Sequence, residues 1–206
     1  MSAPAATVEH GAHAGAGTPG QGVIGVHTQK LGMWVFLVSE VMFFTALIGS
    51  YIILRWGAHT PWPEPRTVLN IPTTAINTFI LICSSVSMVK AYAAAVQDDQ
   101  RGLKRWLLTT VVGGATFVGI QAREYIKLIH AGFLPSSGLF GAAFYTMTGF
   151  HGFHVTCGVI SMIYVTIRAF RGKYAGGKYQ GIETIGLYWH FVDLVWILLF
   201  TIVYLI

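Results

Sequence analysis

Long apolar stretches alternate along the chain with short polar breaks, and the spacing predicts five membrane-crossing helices. Crossing a hydrocarbon core of about 30 Å takes roughly 20 mainly apolar residues in a helix. Residues 31–55, 72–96, 103–129, 137–170 and 182–206 meet that requirement. The breaks are rich in turn formers and charges: Pro61-Trp62-Pro63-Glu64-Pro65, then Gln97-Asp98-Asp99-Gln100, then Gly132 and Pro135. Backbone polar groups in lipid must be satisfied within the segment, so the expected fold is all-α, an integral membrane bundle of five transmembrane helices. The fourth stretch exceeds one upright crossing, which predicts tilt or an extension into solvent. Small residues such as Gly113-Gly114, Gly119 and Gly149 allow close helix approach and favour a bundle over separate anchors. Ahead of the first stretch, residues 1–27 are rich in Ala, Gly and His and broken by Pro4 and Pro19. They read as a disordered tail, because they carry too little apolar area to offset their ordering entropy. The first eight residues lack the form of a cleavable signal. Residues 28–206 read as one domain, with no linker long enough to hold another.

Composition agrees. Of 206 residues, 54% are apolar and 10% charged, whereas about a quarter is charged in ordinary soluble domains. The mean hydropathy is +0.60. A net charge of +5 raises the question of nucleic acid. The cations are scattered between apolar blocks and form no groove-sized patch, so nucleic-acid binding is excluded. Their distribution instead predicts orientation. With five crossings, one side holds Lys30, Lys90, Arg101, Lys104, Arg105, Arg168, Arg171, Lys173 and Lys178, and the other only Arg55, Arg66, Arg123 and Lys127. The positive-inside bias places the N-terminus in the cytoplasm and the C-terminus in the periplasm. Cys83 and Cys157 lie within apolar stretches and form no C-x-x-C pair, so they read as small apolar residues.

Ionisable residues at membrane depth carry the functional question. Glu40 lies nine residues into the first stretch, roughly 14 Å deep at 1.5 Å per residue. Burial there favours a neutral carboxylic acid. It is either a proton-exchangeable or lipid-contacting carboxyl, or a structural acid hydrogen-bonded to a neighbouring helix. His151 and His154 stand three apart, as do His190 and Asp193. Residues at that spacing share a helix face, so each pair can point into the bundle. A metal site and a hydrogen-bonded polar seam, with Asp193 pairing His190 across a turn, both fit. Carboxylate-bridged metal sites in bundles repeat an E-x-x-H motif, which is missing from these stretches, so no metal is expected. Arg123 and Glu124 sit near the outer end of the third stretch. The Arg can snorkel, and Glu124 can pair with it or with a neighbouring helix. The tryptophans lie mostly near stretch ends, as aromatic belts require, while Trp189 and Trp196 share a face and read as packing residues.

Taken in order, these residues resemble subunit III of the haem–copper oxidases, the cytochrome c oxidase subunit III family. The resemblance rests on five runs: Ser39-Glu40-Val41-Met42-Phe43-Phe44; Asn77-Thr78; Gln121-Ala122-Arg123-Glu124-Tyr125; Gly149-Phe150-His151-Gly152-Phe153-His154-Val155; and Tyr188-Trp189-His190-Phe191-Val192-Asp193-Leu194-Val195-Trp196. It covers residues 28–206. The longest family members have seven helices, and this chain resembles the five-helix bacterial form without the first two. That departure puts in doubt any lipid site that those two helices help to build.

The resemblance implies a non-catalytic subunit of a proton-pumping respiratory oxidase in a bacterial plasma membrane. Haem and copper would lie in partner subunits, with none in this chain. Subunit I would be the main contact, with subunit II, a possible small subunit IV and bound phospholipid. The chain would support proton uptake and stability during electron transfer to oxygen. Glu40 matches the family's carbodiimide-reactive carboxyl, while His151, His154, His190 and Asp193 match motif residues without a catalytic role. Between donors, Glu at position 40 and the acid at Glu183 favour cytochrome c over quinol. The alternatives are subunit III of a quinol oxidase or the related protein of a nitric oxide reductase. A stand-alone proton or ion transporter is a further alternative, but it would be expected to show inverted repeats and broken helices, and neither is evident.

Overall fold

A computed structural model describes residues 28–58, 62, 69–176 and 179–205. The proposed tail 1–27 lies outside these residues, as do most of the Pro-rich break and Lys178. Among the described residues the chain is all helix: α1 (Thr28–Trp56), α2 (Ile71–Val96), α3 (Gln100–His130), α4 (Leu139–Phe170) and α5 (Gln180–Phe200), the last continued by a π-helical turn, Thr201–Leu205. All five expected stretches become helices, with ends displaced by up to three residues.

Local chemistry sets several of these ends. Asn70 caps α2 by accepting from the Thr73 amide at 3.3 Å, and Pro72 sits in the first turn, where no amide hydrogen is needed. Asp99 caps α3 by accepting from the amides of Arg101 and Gly102 at 3.1 and 3.0 Å. Asp98 just before it takes a φ of +56°, which turns the chain sharply between α2 and α3. Its carboxyl accepts from Gln100 at 2.8 Å and from the Gly176 amide at 3.4 Å, tying this turn to the α4–α5 loop.

Four helices, α2 to α5, pack against one another in the order α2–α3–α4–α5, with α5 closing back on α2. The tightest crossings are at glycine. A methyl group on Gly114 of α3 would lie 2.7 Å from the Trp189 ring of α5, and one on Gly158 of α4 would lie 2.9 Å from the same ring. Two helices thus close on one indole because neither has a side chain there. The fully buried large residues Trp189, Trp196, Phe117, Phe144, Met88 and Met147 fill the remaining centre.

Helix α1 lies outside this core against α4 and α5. It buries only Leu37, Phe44 and Tyr51, spaced by seven, and leaves residues such as Val35, Met42 and Ile53 open on its other faces. Four helices, α1, α2, α4 and α5 with its π turn, are long and apolar enough to cross a membrane. The expected third crossing, α3, is less apolar than the other four. Charges at both ends (Arg101, Lys104 and Arg105; Arg123, Glu124 and Lys127) confine its apolar part to its middle, where Gly, Thr and Gln121 dilute it further. Its inward face is nevertheless packed between α2 and α4, with Leu103, Leu107 and Phe117 fully buried.

Candidate functional site

Most of the candidate polar side chains at depth gather at two places. On the outer seam, α1 and α4 bring Glu40 and His154 together, with Glu40 Oε2 3.0 Å from His154 Nε2. Both side chains are largely buried. The other imidazole nitrogen, Nδ1, lies 2.7 Å from the Phe150 carbonyl oxygen one turn earlier. The Phe44 and Phe153 rings flank the imidazole at centroid distances of 5.2 and 5.8 Å.

His151 goes elsewhere. It is buried among α3, α4 and α5, its ring stacked on Trp196 at 4.8 Å and edged by Phe117 at 6.2 Å, and neither nitrogen has a protein partner. The two histidines, three apart in the sequence, thus enter different surroundings. Three residues at 100° each leave the two side chains about 60° apart around the helix. Here His154 meets Glu40 of α1 and His151 stacks on Trp196 of α5, while Phe44 of α1 borders both rings.

The second place is the α2–α5 interface. His190 Nδ1 lies 2.6 Å from Ser85 Oγ, and Asp193 is buried beside the same serine with one carboxyl oxygen unpartnered. The polar seam thus exists, but the expected pairing of Asp193 with His190 across a turn is replaced by a serine of the facing helix. The tryptophans extend the seam: Trp189 Nε1 donates to Ser84 Oγ at 3.2 Å, and Trp196 Nε1 to Thr78 Oγ1 at 2.9 Å. Asn77 donates to the Phe117 carbonyl at 3.2 Å, joining α2 to α3. On the far side of the core, Tyr125 donates to Thr148 at 2.6 Å, joining α3 to α4.

Sequence reasoning missed Ser84, Ser85 and Thr148 as partners. A signal was present for the first two. Trp189 and Trp196 recur after seven residues, and Thr78 and Ser84–Ser85 recur after six or seven, as an antiparallel facing helix requires. The tryptophans read as packing residues are also hydrogen-bond donors.

Toward the ends, Glu183 at the start of α5 pairs with Lys30 of α1 at 2.5 Å. Glu124 pairs with Lys127 at 2.7 Å, neither with Arg123 nor with another helix. Adjacent helix positions point 100° apart, whereas positions three apart are neighbours. Arg123 is exposed, as a snorkelling side chain should be. No group of three His, Cys, Asp or Glu side chains among the described residues is arranged to hold a metal ion. Shallow grooves open on the surface, two of them beside these residues. One of about 220 Å³ between α1 and α4 is almost wholly apolar, and one of about 200 Å³ between α2 and α5 runs from Glu183 and Tyr92 to His190.

Fold and polar network together define a helical membrane bundle whose deep polar groups mostly serve one another across helix interfaces. Its particular kind follows from relatives. The sequence matches the family model for cytochrome c oxidase subunit III over residues 10–206, and the chain belongs to that family. It is 41% identical over 177 residues to the cytochrome c oxidase subunit 3 of Thermostichus vulcanus, covering 85% of this chain and 86% of the relative. It is 37% identical over 197 residues to a probable cytochrome c oxidase subunit 3 of Nocardia farcinica, covering 92% and 97%. A probable cytochrome c oxidase subunit 3 of Mycobacterium tuberculosis is 40% identical over 177 residues, covering 86% and 87%. Membership makes this chain a subunit of a haem–copper oxidoreductase complex in a membrane.

Proposed function

We propose that the chain is the third subunit of a cytochrome c-linked respiratory oxidase in a bacterial plasma membrane, N-terminus in the cytoplasm and C-terminus outside. The observation that carries this reading is the near full-length similarity to bacterial proteins named cytochrome c oxidase subunit 3. Haem and copper belong to partner subunits, where electrons reduce oxygen. This chain flanks subunit I, lies near subunit II and a small fourth subunit, and holds phospholipid against its outer helices.

The structure supports the division of labour. His190 is engaged with Ser85 and His154 with Glu40, while His151 is stacked on Trp196. These residues build a rigid support, and the side chains do not converge on a common centre. The apolar outer faces of α1 and the groove between α1 and α4 support contact with lipid chains or another membrane subunit. Glu40 is the proton-exchangeable carboxyl of this reading. Glu183, counted in favour of cytochrome c, is tied to Lys30 and so has a structural task as well.

The test is oxygen uptake by the complex purified through this chain, supplied first with reduced cytochrome c and then with quinol. Uptake with cytochrome c supports the proposal. Uptake with quinol alone would move the chain to the quinol-oxidase branch.

A further inference from the structure

The hydrogen-bond chain at the α2–α5 interface can run in either direction. Ser85 is buried and stands between two partners, His190 Nδ1 at 2.6 Å and the carboxyl of Asp193. A serine hydroxyl has one hydrogen to give and two lone pairs to receive with. It therefore donates to one partner and accepts from the other. With a neutral ring and no proton on the unpartnered carboxyl oxygen, only two arrangements satisfy the chain. In the first, Ser85 donates to an ionised Asp193, Nδ1 bears the ring hydrogen and Nε2 is bare. In the second, Asp193 bears a proton and donates to Ser85, Ser85 donates to Nδ1, and Nε2 bears the ring hydrogen. The two differ by one proton.

The ends of the chain have unlike surroundings. Asp193 is closed in, 7% exposed, with Oδ1 unpartnered. His190 lines the groove of about 200 Å³ between α2 and α5, and its Nε2 has no partner among the described residues. A liquid water takes up about 30 Å³, so the groove has room for a short file of waters. It passes Met88, Val89 and Gly186 and reaches Tyr92 and Glu183, the latter in the first turn of α5. Glu183 is seven residues from His190, about 10 Å along the helix. There it pairs with Lys30 in the first turn of α1. Lys30, Glu183 and Tyr92 are the titratable groups at that end. No charged side chain of α1, α3 or α4 acts on His190 or Asp193 among the described residues.

We infer that His190, Ser85 and Asp193 form a proton relay that loads and unloads the buried carboxyl of Asp193 from the α2–α5 groove. A hydronium ion in the groove gives its proton to Nε2. The Nδ1 proton passes to Ser85 Oγ as the serine's own proton passes to Asp193. The net change is one proton, taken up at Nε2 and held on Asp193, with both hydrogen bonds of the chain reversed. Unloading runs the same steps backward. The loaded form places no net charge in the bundle, where an unpaired charge is costly. This goes beyond the oxidase assignment and does not depend on it.

The test is time-resolved infrared spectroscopy of the purified complex at neutral pH during exchange into heavy water, read as wild type minus Asp193→Asn. The inference expects a protonated-carboxyl C=O band from Asp193 that shifts as deuterium replaces its hydrogen. Ser85→Ala and His190→Phe should slow that shift by about tenfold or more, the rate equivalent of one lost buried hydrogen bond. Ser85→Thr, which keeps the hydroxyl, should restore it. Assembled Ser85→Ala and His190→Phe variants that exchange at the wild-type rate would overturn the inference and leave the seam purely structural. So would a wild-type difference with no protonated band, or with one that does not exchange, whether or not the variants assemble. The haem content of the same preparations reports separately on oxidase membership, so the two readings can fail independently.

Discussion

At the scale of single residues, most deep polar groups are bonded to a residue on another helix. Replacing His190 by Ala removes one of the two groups bonded to Ser85, and replacing Ser85 by Ala leaves the imidazole Nδ1 bare. Either change should destabilise the chain by about 1–3 kcal/mol, the cost of a buried unpaired polar group. Thermal unfolding of the detergent-purified complex checks this, and a wild-type midpoint in both variants would contradict it. Glu40→Gln should behave differently, because a Gln side chain has the same shape and stays polar beside His154 Nε2. The variant should assemble with normal haem content while losing modification by an apolar carbodiimide. Peptide mapping of labelled membranes reads that loss directly.

At the scale of helices, two kinds of contact hold the elements in place. The first is the approach of α3 and α4 to Trp189, which requires Gly114 and Gly158. Gly158→Ala puts a methyl group within 2.9 Å of the ring, and should cost about 1–3 kcal/mol by overpacking. The same substitution at Gly149, where a methyl group meets nothing within 4 Å, should be nearly neutral and serves as the control. Comparing assembled yield and melting temperature of the two variants separates crowding from a general dislike of Ala at those positions. The second contact is the Lys30–Glu183 pair between α1 and α5. Its side chains remain 40% and 25% exposed, so its loss should matter little, about 0–1 kcal/mol. Element positions were legible in the sequence because a membrane span is set by length and hydropathy, which are local. Partners were less legible. Asp193 and His190 looked like a pair because they share a helix face, but only the packing of α2 brings Ser85 between them. His151 and His154 share a helix face for the same reason, but one meets Trp196 of α5 and the other Glu40 of α1.

For the whole molecule, four inward-packed helices form a firm support, and α1 presents a long apolar surface on its outside. The candidate polar residues were all visible in the sequence, since each violates the apolar pattern around it. Their division between an outer seam and an inner interface was not, because it depends on which faces α1 and α5 cover. Orientation is a prediction at this scale. Single cysteines introduced at Lys173 in the α4–α5 loop should be shielded from a membrane-impermeant thiol reagent in intact cells, and those at Gly132 in the α3–α4 loop should react. The reverse labelling pattern would invert the topology.

The central claim is membership of a haem-bearing oxidase, and a single purification tests it. A tag on this chain, extraction from native membranes in mild detergent and a reduced-minus-oxidised spectrum should give haem bands in fixed proportion to the tagged chain. An intact, well-folded preparation that carries no haem would contradict the account.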